Sequence, residues 1–189
     1  MDTFAPVVEA RGGRRARHRR PPRTTPPTTR PPGETAWRPE AARAGMRAMT
    51  DLAIRPGAAS DIDRVLAFWQ EAAEGTSVSD DRDGVARLLA RDPEALLLAE
   101  QDGRLVGTVI AGWDGWRCSL YRLAVLPARR RQGVSRALLA AAEERFAALG
   151  GRRGDAMVLD ANERAHRVWQ AAGYAPQPQW SRWVKPLAS

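Results

Sequence analysis

A single cysteine, Cys118, among 189 residues excludes an intrachain disulfide and a cysteine-rich zinc site. Long apolar stretches are missing as well. No run of 18 apolar residues exists, so no membrane-crossing helix is expected. The first residues carry no apolar core of signal-peptide length, and a cytoplasmic protein is the reading that follows. The chain is rich in positive charge, but unevenly. Residues 1–48 hold 11 arginines against four acids (Asp2, Glu9, Glu34, Glu40), net +7, whereas residues 49–189 carry net +1. The bulk of the chain is therefore nearly neutral and gives no reason to expect a nucleic-acid surface.

Residues 1–48 also hold eight of the 14 prolines. Such a segment buries too little apolar surface to offset its ordering entropy, so it is read as a disordered tail. It is either a solvated appendage or a basic arm for RNA or another polyanion. Met46 and Met49 stand just before ordered patterning begins near Asp51, which sets a domain over residues 49–189.

Within that domain, Asp51 to Pro56 reads as a strand. Ser60 or Asp61 caps a helix with Ile62, Val65, Leu66 and Trp69 on one face. Glu74 to Asp83 is an acidic loop, and Val85, Leu88 and Leu89 mark a second helix ending near Pro93. Ala95 to Ala99 and Arg104 to Trp113 are strands joined by an Asp102-Gly103 hairpin turn. Asp114-Gly115 is a second such turn, followed by the strand Leu120 to Leu126 and a long helix to Leu149. Gly150, Gly151 and Gly154 break the chain before a short strand, Ala156 to Leu159. Glu163 to Ala172 is a helix with Gly173 past its end. The remainder, with Trp180 and Trp183, reads as a final strand or hairpin. The order predicts an α/β fold, a mixed and partly antiparallel sheet flanked by helices.

The most informative stretch is Arg130-Arg131-Gln132-Gly133-Val134-Ser135, a glycine loop between the strand and the long helix. Backbone N–H groups at a helix start lack intrahelical partners, and the helix dipole favours an anion there, which suits a pyrophosphate.

Arg130-x-x-Gly133-x-Ser135, the strand Leu123-Ala124-Val125 ahead of Pro127, and Asn162-x-x-Ala165-x-x-Val168-Trp169-x-x-x-Gly173-Tyr174 together resemble the GNAT superfamily of acyl-CoA-dependent N-acetyltransferases, over about residues 51–186. The resemblance implies acetyl-CoA as co-substrate, lying between strands 120–126 and 156–159, and a small-molecule or peptide amine as acceptor. It implies that the backbone of Arg131, Gln132, Gly133, Val134, Ser135 and Arg136 holds the pyrophosphate, with side-chain help from Arg130 or Arg131. Leu123 and Val125 would pair with the pantetheine arm, and an N–H at Leu123 or Ala124 would polarise the thioester carbonyl. Asn162 would bind the cofactor's amide region, or else simply cap its helix. The resemblance leaves open a homodimer.

Two positions depart from the family's pattern. Ser135 stands for a small Gly or Ala. Trp169 stands where many members have a tyrosine that protonates the leaving thiolate, and indole is no acid. The catalytic acid and base are therefore unassigned, and a non-catalytic acyl-CoA-binding module is the alternative. Tyr121 is a substitute acid or a packed strand residue. Asp114 is excluded as the base: it lies ten residues before Ala124, roughly 30 Å along a strand. Glu74, Asp80 and Asp81, on the loop that walls the family's acceptor pocket, bind an amine or are simply solvated. Cys118 and His166 read as a small buried residue and a surface histidine rather than a nucleophile pair. Trp113, Trp116, Trp180 and Trp183 line an acceptor pocket or belong to the core or a dimer seam.

Overall fold

Five consecutive apolar residues, Ala95 to Ala99, are completely buried, so the strand they form has protein packed on both sides. Alternation along it separates two cores. Leu97 and Ala99 join a cluster with Val134, Leu138, Phe146 and Trp169, while Leu96 and Leu98 join one with Ile62, Val65, Trp69 and Val85. The computed structural model describes residues 52–185 and Leu187; the expectation for residues 1–48 lies outside them.

The described chain runs β1 (Ala53–Pro56), α1 (Ile62–Ala72), α2 (Arg82–Arg91), β2 (Leu96–Gln101), β3 (Arg104–Trp113), β4 (Cys118–Val125), α3 (Val134–Ala148), β5 (Gly154–Ala156) and α4 (Glu163–Ala171). The sheet has the order β1-β2-β3-β4-β5, antiparallel except for the parallel β4–β5 pair. Helices α1 and α2 pack on one face, and α3 with Trp169 of α4 on the other. This is the mixed, helix-flanked sheet that the patterning predicts.

Side chains pin the helices. Asp61 does not cap α1 with its carboxylate. It accepts from the Ala58 N–H (2.9 Å) and takes a bidentate bond from Arg55 of β1, Nη1 at 2.7 Å and Nη2 at 2.8 Å. Arg145 of α3, buried under the sheet, donates to both Asp92 oxygens (2.6 and 2.7 Å) and to the Ala111 carbonyl (2.8 Å). That clamp holds α3 to the turn after α2 and to β3.

Two expectations fail, and both lie at the β5 edge. The short strand falls at Gly154–Ala156, not Ala156 to Leu159. Its ladder stops at Leu120↔Ala156 because β4 changes course just beyond, leaving Met157 to Leu159 outside the ladder. No strand forms among the described residues after Tyr174. Pro176 and Pro178 have no N–H for a ladder there, and Trp180 and Trp183 are 74% and 92% exposed rather than core residues.

Candidate active site

The change of course in β4 is a bulge. Thr108 pairs with Ala124 and Ile110 with Tyr121, so Arg122 and Leu123 together oppose the single residue Val109. Arg122 takes the extra place with φ +51°, a left-handed conformation uncommon outside glycine. The Thr108 hydroxyl donates to the Arg122 carbonyl at 3.0 Å and accepts from Trp69 Nε1 at 2.9 Å. The Arg122 side chain, 12% exposed, reaches into the loop between α1 and α2. Its Nε donates to Asp80 Oδ1 (2.8 Å), its Nη1 donates to the Gly75 carbonyl (3.0 Å), and its guanidinium lies 5.6 Å from the centre of the Trp69 ring.

Beyond the bulge, one edge of β4 is free. The Leu126 N–H donates to the Val106 carbonyl (3.0 Å), and Ala124 pairs with Thr108. Ladder alternation then turns the amides of Leu123 and Val125 away from β3, toward the side that β5 has left. Of the two residues put forward for an outward N–H, only Leu123 has that orientation.

The glycine loop follows directly. Arg131 (φ +63°) and Gly133 (φ +83°) are both left-handed, which curls successive N–H groups around a concavity. Gly133 is the N-cap of α3 and no side chain caps the helix; the first helical bond is from the Ala137 N–H to the Gly133 carbonyl (3.0 Å). The N–H groups of residues 134–136, in the first turn of α3, precede that bond, and a helix start leaves such groups without intrahelical partners. The Arg130 guanidinium is spent on protein carbonyls instead, Val125 at 3.1 Å and Ala72 at 3.4 Å. Gln132 Nε2 likewise donates to the Ala128 carbonyl (3.0 Å). Arg131 and Arg136 are exposed.

Gly107, which the sequence reading passed over, is what lets α3 start here. A Cβ on it would meet Val134 Cγ1 at 2.8 Å, Leu138 Cδ1 at 2.9 Å and the Ala124 carbonyl at 3.2 Å. Glycine inside a strand is the available signal for such close approach. Arg122 was missed for a different reason: nothing local in Leu120–Leu126 distinguishes a bulged arginine from an outward-facing one.

The remaining candidates are occupied. The Asn162 side-chain oxygen accepts from the Ala165 N–H (2.9 Å), so Asn162 is the cap of α4. Asp81 caps α2 through the Gly84 N–H (2.6 Å), and Glu74 pairs with Arg164 at 3.7 Å. Asp114 accepts from the N–H groups of Trp116 and Arg117 in its turn, which hold its carboxyl below the usual range. His166 Nε2 lies 3.1 Å from the Leu159 carbonyl. Cys118 is buried, and that burial pushes its thiol up, away from a thiolate. Trp169 is buried and sits edge-on to Tyr174, with ring centres 5.0 Å apart. Burial and the Glu143 carboxylate push the Tyr174 phenol well above its ordinary value. Tyr121 is not packed; it is 44% exposed beside the gap, lining a groove of about 310 Å³. Among the described residues no helix is long and apolar enough to cross a membrane.

Comparison with known proteins agrees with this geometry. Residues 62–174 match the acetyltransferase (GNAT) family, and the chain belongs to that family. An acetyltransferase of Yersinia enterocolitica is 32% identical over 126 residues, covering 67% of this chain and 89% of that protein. Among solved structures, aminoglycoside N-acetyltransferase AAC(6')-Iy with a CoA-acetylneamine bisubstrate analogue shares the fold at TM-score 0.59, 21% identity, 73% of this chain and 100% of that one. Diaminobutyrate acetyltransferase from Paenibacillus lautus, with its substrate and coenzyme A, does so at TM-score 0.54, 21% identity, 65% and 75%.

Proposed function

We propose that this protein is an N-acetyltransferase that takes acetyl from acetyl-CoA and places it on a primary amine by direct attack on the thioester. The observation that carries the reading is the continuity of two backbone surfaces: the glycine loop and first turn of α3 over residues 131–136, and the strand-free edge of β4 at Leu123 and Val125, where Arg130 holds the Val125 carbonyl. The first matches a pyrophosphate in charge and donor geometry. The second is an open strand edge of the kind a pantetheine amide can extend. Two solved structures that share the fold are complexes with a CoA bisubstrate analogue and with coenzyme A, which supports a CoA-type ligand here.

In this reading the Leu123 N–H donates to the thioester oxygen as negative charge develops there, with the bulge at Arg122 setting its direction. Ser135 adds a hydroxyl at the phosphate end. The new C–N bond forms as the C–S bond breaks; the ammonium proton goes to water and the thiolate leaves as CoA. A thiol of pKa ~8.5 is a tolerable leaving group near neutral pH, so Trp169 in place of a tyrosine is compatible with turnover.

The acids and the imidazole put forward from the sequence, Asp80, Asp81, Glu74 and His166, are all engaged. That favours an acceptor needing little help to lose its proton. An α-amine of pKa ~8 is roughly one-tenth neutral at pH 7, whereas a lysine amine of pKa ~10.4 is neutral about once in 10³ molecules. The missing hydroxyl at Trp169 favours a second reading, an acyl-CoA-binding module without turnover.

The test is thiol release from acetyl-CoA over a mixed panel of peptides and small amines, with acetyl-CoA binding measured in parallel. Amine-dependent release establishes the transferase; binding with silence across the panel favours the module. Gly133→Glu should weaken acetyl-CoA binding at least about tenfold, because it strains the left-handed position and sets a carboxylate against the phosphate. Unchanged affinity refutes the placement of the pyrophosphate.

A further inference from the structure

Thr108 is completely buried in the middle of β3. A hydroxyl in such a place is costly unless its hydrogen bonds are made. They are made here in a fixed direction, because an indole N–H can only donate and a carbonyl can only accept. Trp69 Nε1 donates to the hydroxyl oxygen at 2.9 Å, and the hydroxyl donates to the Arg122 carbonyl at 3.0 Å. Trp69 is itself buried, in the cluster that α1 and α2 form on this face of the sheet.

The Arg122 carbonyl and the Leu123 N–H belong to one peptide group. No peptide bond among the described residues is cis, so the two point to opposite sides of that group. A carbonyl drawn toward Thr108 on β3 turns the N–H toward the strand-free edge of β4. The bonds then run head to tail: indole to hydroxyl, hydroxyl to carbonyl, and through the conjugated amide to the outward N–H. Bonds in such a series polarise one another. A donor on the carbonyl oxygen draws electron density from the amide nitrogen and makes its N–H a stronger donor. The bulge is where such a hold is needed, because its extra residue lacks a ladder partner of its own to fix the peptide. The Arg122 side chain ties down the loop between α1 and α2; Thr108 and Trp69 set the backbone.

Resting on the transferase reading above, we propose that Thr108 and Trp69 are positioning residues for the reaction, a buried relay that aims and polarises the Leu123 N–H at the thioester oxygen. Neither touches the substrate; both act through the Arg122–Leu123 peptide. Negative charge grows on the thioester oxygen as the amine attacks, and a donor fixed beforehand needs no reorganisation at that moment.

The experiment is isotope-edited infrared spectroscopy of acetyl-CoA labelled with carbon-13 at the thioester carbonyl, bound at saturation to the full chain. A hydrogen bond to that carbonyl lowers its stretching frequency below that of free acetyl-CoA. Thr108→Val, which keeps the shape and removes the hydroxyl, should lose most of this displacement. Thr108→Ser should keep it. Trp69→Phe removes the first donor alone and should lose part of it. A looser fold or a weaker affinity does not by itself move the band of the bound ligand, so a merely structural role leaves the band in place. With an amine that supports thiol release, kcat should fall about tenfold in Thr108→Val, less than the roughly 10²–10³-fold typical of removing an oxyanion donor outright. A displaced band that is unmoved in Thr108→Val overturns the inference and leaves the transferase reading standing. So does a native band at the position of free acetyl-CoA, or an equal loss in Thr108→Ser and Thr108→Val. Where Thr108→Val fails to fold, because it strands two buried polar groups, Trp69→Phe decides by the same criterion. A native chain that binds neither acetyl-CoA nor CoA removes the transferase reading and this inference with it.

Discussion

Arg122 and Asp80, 42 residues apart in sequence, are joined by a bond from Nε to Oδ1 at 2.8 Å and by a second contact between Nη2 and Oδ2. Asp80 also accepts the Ser77 N–H (2.7 Å), and Arg122 also donates to the Gly75 carbonyl. One guanidinium thus gathers both ends of the loop between α1 and α2 and ties them to the bulge that frees the Leu123 amide. The left-handed backbone of Arg122 costs roughly 1–2 kcal/mol, which this tether and the Thr108 hydroxyl offset. In the proposed reading the pair links the loop that would wall the acceptor site to the strand that would polarise the thioester. Arg122→Met should raise the acceptor KM about tenfold and lower kcat, with a smaller loss of acetyl-CoA affinity through the β4 edge, because the glycine loop at residues 131–136 is built elsewhere. Steady-state kinetics in both substrates, with direct titration of acetyl-CoA, checks the split. Equal losses in both affinities would mean a general structural role.

Gly107 sits under the first turn of α3, where a Cβ would come within 2.8 Å of Val134 and 2.9 Å of Leu138. Gly107→Val should cost about 1–3 kcal/mol in folding through overpacking and lift the helix start from the sheet. Acetyl-CoA affinity should fall with it. Denaturant unfolding and titration of the same variant check both effects, and a variant as stable and as tightly binding as the native protein would contradict the packing account.

Asp61 gives the fold a defined acid limit. Its hydrogen bonds to Arg55 hold its pKa at about 2, below the ordinary 3.8, and Arg55 and Arg64 lower Glu100 in the same direction. A carboxylate depressed in the folded state stabilises fully above its ordinary value and loses that contribution as pH falls toward 2. The amount is about 1–2 kcal/mol once solvent screening of the partly exposed Arg55 is allowed for. Asp61→Asn should therefore lose stability at pH 7 and lose less at pH 2.5, flattening the curve between about pH 4 and 2. Chemical denaturation across that interval measures it.

Trp169 fills core space between α4 and Tyr174 rather than offering a proton. Trp169→Phe should lower stability by about 1–2 kcal/mol through lost burial while leaving the pH profile of kcat unchanged. A shift of that profile would assign the indole a role in the reaction that its burial does not indicate.

Much of this protein was legible in its linear order. Residues 51–149 announce their elements because each buries one face, and the period of apolar residues records which face. The glycine loop before α3 was legible for a local reason: a left-handed Gly133 and an uncapped helix start are properties of six consecutive residues. The same locality explains Asn162, whose cap bond spans three residues. What tertiary structure alone decided lies at the β4–β5 gap. The position of β5 depended on where β4 stopped being available as a partner, and that was set by a bulge whose cause, Arg122 bound to Asp80 and Gly75, comes from a distant loop. Arg130 turned inward for the same kind of reason, because the carbonyls of Val125 and Ala72 meet only in the folded chain. Trp180 became a groove wall rather than a strand residue because Pro176 and Pro178 have no N–H to offer a ladder there. Local backbone chemistry shaped the glycine loop; the gap and groove beside it depend on bonds between residues far apart in sequence, whose register no periodicity encodes.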